Sequence, residues 1–193
     1  MSDCESVVYF KLIRDAMKQV ASKYIVLDVA GGSPKHRERV YCYELYHQMR
    51  CLQKQGTEYI NFTINGEIDK SGSQEVAQNF NPDFVMHTPG NMENNGCVIE
   101  VKAKSNSNRY VLDKEGVNKD LKTITCMLHC YKYQYGALIF VDVTEGEIAP
   151  ILQEAEISHL DDIFERVMVF FQNKNVSSNI SCKRLKEILE INN

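Results

Sequence analysis

Apolar side chains recur at helical spacing in two stretches of the N-terminal part of the chain. The first stretch, residues 5–24, predicts a helix, and Gly31 to Pro34 then interrupts regular structure. The second stretch predicts a helix from about residue 37 to 55, which Gly56 ends. The chain therefore begins with two predicted helices joined by a loop.

The middle of the chain alternates between strand and helix patterns. Three strands, a helix and a mostly apolar fourth strand are predicted, in that order, at residues 58–70, 83–87, 97–104, 117–133 and 136–143. Two more helices are predicted at about 157–173 and 181–191. The order helix, three strands, helix, strand is typical of an α/β layer structure. We expect one domain: a mixed central sheet flanked by helices, with its core at about 37–143 and extra N- and C-terminal helices.

The composition is that of an ordinary globular domain. Hydrophobic residues make up 44% of the 193 residues and charged residues 25%. The longest apolar run, residues 137–141, is too short to span a bilayer, and the N-terminus lacks a signal-peptide pattern. Seven cysteines without a CxxC pair suit reduced thiols. We therefore expect a cytoplasmic protein with no membrane association.

The net charge of −4 is unevenly distributed. Residues 100–135 carry seven Lys/Arg against four Asp/Glu, whereas residues 136–193 carry five against ten. A locally positive surface can contact phosphates even on an acidic protein, because the local field matters more than the total charge. Ordinary scatter of surface charge explains imbalances of this size equally well.

The strand predicted at 97–104 carries the most informative charges. Alternate side chains of a strand face opposite ways, so Glu100 and Lys102 project from one face while the other face is apolar. Burying such charges is costly unless they pair or bind a metal. A partly exposed face with a simple ion pair is the alternative, and this segment by itself favours it.

The preceding strand adds a second carboxylate. Asp83 follows Pro82 at the start of a strand expected to pair with residues 97–104, and proline is tolerated at a strand start. An aspartate beside Glu100 supplies two hard oxygen ligands, which suit Mg²⁺ or Mn²⁺. Lys102 would then orient an attacking water or neutralise charge that develops on a phosphate.

A third acidic residue, Glu44, lies in the second predicted helix among large apolar and aromatic side chains. Glu44, His47 and Gln48 share one helical face. Glu44 is therefore either a functional acidic residue or a surface glutamate paired with His47 or Arg50. The helix alone leaves these two interpretations balanced.

Pro-Asp at 82–83 and Glu-Val-Lys at 100–102, in this order and on neighbouring predicted strands, resemble the motif of the PD-(D/E)XK nuclease superfamily, also called the restriction endonuclease-like fold. The resemblance covers roughly residues 37–143, and Glu44 sits where many members carry a further acidic residue. It implies Mg²⁺- or Mn²⁺-dependent hydrolysis of nucleic-acid phosphodiesters.

The resemblance also implies roles for four residues. Asp83 and Glu100 would bind the metal, Lys102 would assist the water, and Glu44 would hold metal or water. Second-tier candidates for metal or phosphate contacts are Glu67, Asp69, Lys70 and His87. A polar strand end and a structural histidine explain this second group equally well.

Basic residues near the helix predicted at 117–133 are candidates for nucleic-acid contacts: Lys104, Arg109, Lys119 and Lys122. A solvated helix face is the simpler explanation for them. Tyr131, Tyr133 and Tyr135 suit either stacking on unpaired bases or packing of this helix against the next strand, and packing is favoured.

We therefore expect a metal-dependent nuclease that acts on nucleic acid, with DNA favoured over RNA, and analogy suggests a homodimer. The alternative is a catalytically inactive binding or assembly module of the same fold, with the acidic C-terminal region as a protein interface. A hydrolase of a small phosphorylated ligand is a third hypothesis. A divalent ion bound between Asp83 and Glu100 would separate the first two.

Overall fold

In the computed structural model, a six-stranded mixed sheet is flanked by helices. The structure describes residues 6–59, 61–67, 80–90, 94–106, 112–155 and 161–190. The predicted α/β class with a mixed central sheet is confirmed.

The strands follow one another across the sheet in chain order. They are β3 (Thr63–Gly66), β4 (Phe84–His87), β5 (Asn95–Ala103), β6 (Tyr135–Val141), β7 (Val167–Asn173) and β8 (Val176–Arg184). Neighbouring strands are antiparallel except for two parallel pairs, β5 with β6 and β6 with β7. A separate antiparallel ribbon joins β1 (Val26–Leu27) to β2 (Lys35–His36).

Helices cover both faces of the sheet. They are α1 (Val8–Gln19), α2 (Ser22–Ile25), α3 (Glu38–Gln55), α4 (Lys114–His129), α5 (Glu145–Gln153), α6 (Asp161–Arg166) and α7 (Leu185–Glu190), with a 3₁₀ turn at Thr57–Tyr59. α1 and α3 share one hydrophobic core with the sheet, and α4, α5 and α7 share a second core on the opposite face.

The side chains of β5 divide between these two cores as the alternation predicts. Cys97, Ile99 and Val101 lie in the core with α1 and α3, whereas Val98 lies in the core with α4. Both faces of the strand are therefore covered by helices, so the Glu100 face is not an open surface. On that face Glu100 is buried, whereas Lys102 and Lys104 are half-buried.

Several element boundaries differ from the predictions. The first sheet strand is Thr63–Gly66; it begins later than predicted because a 3₁₀ turn occupies residues 57–59, and residues 68–70 of the prediction lie outside the described residues. The predicted helix at 117–133 begins at Lys114 and ends at His129. The mostly apolar strand at 136–143 is confirmed as an interior strand, β6, which pairs on both edges.

The C-terminal prediction of helices at 157–173 and 181–191 is confirmed at 161–166 and 185–190 and is wrong at 167–173 and 181–184, which are strands; residues 157–160 and 191 lie outside the described residues. The short helices α6 and α7 flank an antiparallel hairpin made by β7 and β8. The apolar run that starts at Val167 is buried on both faces of β7, and a short continuous apolar run does not distinguish a buried strand from a buried helix.

One helix, α5, was not predicted. A capping box at its N-terminus, formed by Thr144 and Glu147, marks its start, and Pro150 lies inside it. No helix among the described residues is long and apolar enough to cross a bilayer.

Gly136 allows α4 to lie close to β6. A Cβ atom added there would lie 2.6 Å from Ile124 Cγ2 of α4 and 3.1 Å from Val167 Cγ2 of β7. We expect Gly136→Ala to lower the free energy of unfolding by about 1–3 kcal/mol, because the overpacked helix must shift. Urea unfolding measures this change.

Gly146→Ala is the matched control, because a Cβ atom there meets nothing within 4 Å. Its site lies in α5, where alanine favours the helix, so unchanged or slightly higher stability is expected. Equal stability of Gly136→Ala and the parent would contradict the close approach of α4 to the sheet.

Candidate active site

Asp83 and Glu100 lie side by side where β4 and β5 pair. The backbone N–H of Val101 donates to Asp83 Oδ2 at 2.7 Å, and the backbone N–H of Asp83 donates to Glu100 Oε2 at 3.4 Å. The two halves of the sequence motif are thus brought into direct contact.

Strand register explains this contact. Phe84 pairs with Ile99 in the antiparallel ladder, so Asp83, one residue earlier, lies opposite Glu100. Pro82 precedes the strand, where its missing N–H costs no ladder hydrogen bond. The predicted pairing of these two strands is confirmed.

Lys102 lies two residues beyond Glu100 on the same face and contacts two further carboxylates. Its Nζ lies 3.0 Å from Asp120 Oδ2 of α4 and 3.8 Å from Glu38 Oε2 at the start of α3. Glu38 Oε2 also accepts a hydrogen bond from the backbone N–H of Ala103 at 3.0 Å. The acidic cluster, defined as Glu38, Asp83, Glu100 and Asp120, therefore surrounds one lysine.

Burial dominates the electrostatics of the acidic cluster. Glu100 is only 6% exposed, and burial, together with the charges of Asp83 and Asp120, raises the pKa of its carboxyl to about 9. Burial also raises the pKa of Asp120 to about 6, in spite of Lys102. The pKa values of Asp83 and Glu38 are raised as well, again chiefly by burial. The cluster is therefore short of positive charge.

Lys102 itself keeps its proton. Burial acts to lower the pKa of its ammonium group, but the carboxylates of Asp120 and Glu38 outweigh burial and raise it. A lysine held in this state is a donor and a fixed positive charge, not a general base at neutral pH.

A cleft of about 770 Å³, which we call the main cleft, opens over these groups. One wall is formed by Asp83, Glu100 and Lys102 of the sheet region and by Glu38 at the start of α3. The helix α4 supplies the other wall. That wall carries acidic, polar and basic side chains: Glu115, Asn118, Lys119, Asp120, Lys122 and Thr123. The volume lies within the range of ligand-binding clefts.

Glu38, and not the predicted Glu44, is the glutamate of α3 that reaches the site. Glu44 Oε1 accepts a hydrogen bond from Gln48 Nε2 at 2.7 Å, and Glu44 does not line the main cleft. Six helical residues separate the two glutamates, a rotation of about 120° between their directions. The structure therefore does not bring Glu44 together with Asp83 and Glu100.

The start of α3 is fixed by the residues just before it. His36 Nε2 lies 2.9 Å from Asp142 Oδ2, at the end of β6. The backbone N–H and carbonyl of His36 both hydrogen-bond to the Asn106 amide at 2.8 Å, just beyond β5. These contacts hold the N-terminus of α3 against the carboxyl ends of two parallel strands, which is where Glu38 meets Lys102.

Sequence reasoning missed Glu38 and Asp120. Both lie on helices whose rotation relative to the sheet is a tertiary property. One signal was present for Asp120: it is an acidic residue on the otherwise apolar face of α4, with Val117, Leu121 and Ile124.

The second-tier candidates lie in different places. Glu67 forms an exposed ion pair with Arg39 at 3.3 Å. His87 Nε2 lies 2.9 Å from Asn65 Oδ1, a contact between neighbouring strands β3 and β4. Asp69 and Lys70 lie outside the described residues.

Of the four candidates for nucleic-acid contacts, two line the main cleft, one is in an ion pair, and one lies outside the described residues. Lys119 and Lys122 are exposed and line the main cleft. Lys104 pairs with Glu147 of α5 at 3.3 Å. Arg109 lies outside the described residues. Tyr131 and Tyr133 are buried, so packing accounts for them.

The described residues contain no group of three or more His, Cys, Asp or Glu side chains arranged to hold a metal ion. Two adjacent carboxylates, Asp83 and Glu100, nevertheless agree with Mg²⁺, which takes one or two protein carboxylates and completes its shell with water and phosphate. The shortage of positive charge in the acidic cluster also agrees with a bound cation.

Comparisons with protein-family models, with curated proteins and with solved structures gave no match. The resemblance to the PD-(D/E)XK superfamily thus stays a prediction.

Glu100→Gln tests the electrostatics of the cluster in metal-free buffer. The folded pKa of about 9 lies above the usual glutamate value of about 4.3. The contribution of Glu100 to the stability of the parent is therefore fully present below about pH 4.3 and is lost as the pH rises towards 9. Glu100→Gln lacks this loss, so we expect it to exceed the parent by at least about 1 kcal/mol at pH 8 and to match it near pH 4.

Urea unfolding in EDTA at several pH values measures this difference. Glu44→Gln, the same change at a residue outside the cluster, is the control and should follow the parent. Parallel pH profiles for Glu100→Gln and the parent would contradict a buried carboxyl that resists ionisation.

Proposed function

We propose that this protein is a metal-dependent nuclease with a restriction endonuclease-like core, which hydrolyses phosphodiester bonds of nucleic acid, DNA in preference to RNA. The observation that carries the proposal is the direct contact between Asp83 and Glu100 on the floor of the main cleft, with Lys102 next to them. A buried Glu100 carboxyl beside a half-buried Asp83 carboxyl is costly to the fold, and such perturbed carboxyls cluster at functional sites.

The order of elements supports the proposal. The antiparallel strands β3, β4 and β5 are followed by α4 and by β6, which is parallel to β5, and α3 precedes them all. This is the order helix, three strands, helix, strand that the resemblance implies. The hairpin of β7 and β8 extends this core at one edge.

The residues present fit a magnesium or manganese ion. Asp83 and Glu100 would hold it through carboxylate oxygens, and Glu38, which lines the same cleft, would contribute directly or through water. When bound, the ion would supply charge stabilisation of the phosphoryl oxygens and a more acidic water.

The other side chains would position the phosphate. The protonated Lys102, held by Asp120 and Glu38, would donate to a phosphate oxygen or orient the water. Lys119 and Lys122 on the opposite wall would contact neighbouring phosphates along the strand. Asp120 would act through Lys102, as a positioning residue.

The test is a cleavage assay with Mg²⁺ or Mn²⁺ on plasmid, linear duplex, single-stranded DNA and RNA. We expect cleavage that EDTA abolishes, and a loss of about 10²-fold or more in Asp83→Ala and Lys102→Ala, which remove a metal ligand and a charge donor.

A matched pair on one helix sharpens the test. Glu38→Gln should lose activity to a similar extent, because its carboxylate lies at the site, whereas Glu44→Gln should keep it. The reverse result would contradict the placement of α3. No cleavage by the parent, with no divalent-ion binding in calorimetry, would favour the inactive binding module.

A further inference from the structure

A second cleft of about 360 Å³, which we call the side cleft, adjoins the main cleft. The two clefts share Glu38 and Asp83, so the acidic cluster lies at their junction. Three aromatic side chains line the side cleft, Tyr43 and Tyr46 from α3 and Phe84 from β4, together with charged side chains.

The three aromatic side chains are placed differently. The rings of Tyr46 and Phe84 are stacked, with centroids 6.2 Å apart and planes 12° apart, and the Tyr46 hydroxyl donates to the Ile64 carbonyl. Tyr43 is 65% exposed, and it is the most exposed large hydrophobic side chain among the described residues. Packing thus accounts for Tyr46 and Phe84 and leaves the Tyr43 ring available to a ligand.

Polar groups complete the rim of the side cleft. The Arg39 guanidinium lies 3.3 Å from the Glu67 carboxylate, and both side chains are exposed. An exposed ion pair of this kind contributes little to stability, so opening it to bind a ligand costs little. It places donors and acceptors next to an aromatic face, a combination suited to the edge and the face of a nucleobase.

We infer that the side cleft binds one unpaired base of the nucleic-acid substrate, stacked on Tyr43, next to the phosphate held at Asp83 and Glu100. This inference rests on the proposed function, because it takes the shared carboxylates as the place where the phosphate lies. It adds a substrate class: single-stranded nucleic acid, or a frayed end.

The reason for an unpaired base is geometric. Bases inside a duplex are stacked on both faces and paired at their edges, so a protein ring reaches such a face only after the base has left the helix. Moving a base out of a duplex costs unpairing and unstacking energy, and a strand that is already single does not have this cost. Aromatic stacking is also tolerant of base identity, so the side cleft selects for an unpaired base rather than for a sequence.

Binding can be measured apart from hydrolysis, with Ca²⁺ in place of Mg²⁺ and with gels to show that the strand stays intact. The probe is a fluorescent single-stranded DNA of about ten nucleotides, and the comparison strand has the same backbone with abasic sites. Fluorescence anisotropy gives the affinity of the parent, Tyr43→Ala and Tyr43→Phe.

We expect Tyr43→Ala to weaken binding of the base-containing strand by about fivefold or more, while Tyr43→Phe keeps the ring and the affinity. The abasic strand should bind weakly and equally to all three proteins. Tyr24→Ala, which removes a half-buried tyrosine ring that lines neither cleft, controls for loss of a ring elsewhere and should bind as the parent does once its folding is verified by circular dichroism.

Equal binding of the two strands by the parent, or an affinity unchanged in Tyr43→Ala, would overturn the inference. If the binding assay gives one of these results and the parent cleaves duplex DNA in the Mg²⁺ assay, the proposed nuclease function stands and only the side cleft loses its role. Base-dependent binding that requires Tyr43, in a parent that does not cleave, would support the subsite and count against the nuclease.

Discussion

The ammonium group of Lys102 joins three elements that come from separate parts of the chain. It projects from β5 and contacts Asp120 of α4 and Glu38 of α3. Since a half-buried lysine requires partners, these contacts favour the arrangement in which both helices meet the same end of the sheet. Among the described residues, neither Asp83 nor Glu100 forms an ion pair of its own. One cation therefore serves four carboxylates, an arrangement that costs stability and is typical of functional sites.

The position of Glu38 depends on a second set of contacts farther along the same edge. Asp142, which adopts a left-handed backbone conformation with φ 56°, binds both His36 and Lys174. Burial opposes ionisation of Asp142, but these two partners outweigh it and hold the pKa of its carboxyl below the usual value. The Asp142 carboxylate thus connects His36, two residues before the start of α3, to the ends of β6 and β7. This anchor sets the start of the helix and so the direction in which each glutamate of α3 points.

The two clefts meet at residues supplied by α3 and β4. Charged side chains line both clefts; the lysines lie in the main cleft, whereas Tyr43, Tyr46 and Phe84 lie in the side cleft. A lysine suits the phosphate of a nucleotide, and an exposed aromatic ring suits its base. The placement of the lysines and of the Tyr43 ring in adjoining clefts links the proposed chemistry to the proposed substrate.

The sequence by itself determined the α/β class, the interior position of β6 and the alternation of β5, because periodicity within one element is a local property. It also predicted that Asp83 and Glu100 would be neighbours, since the order of the motif and the pairing of adjacent strands suffice for that. Only the tertiary structure decided that Glu38 rather than Glu44 faces the site, that Asp120 holds Lys102, and that the C-terminal apolar run forms a hairpin. The physical reason is the same in each case. Residues distant in the chain determine which face a helix turns to a sheet. They also determine whether an apolar run that is buried on all sides forms a strand or a helix.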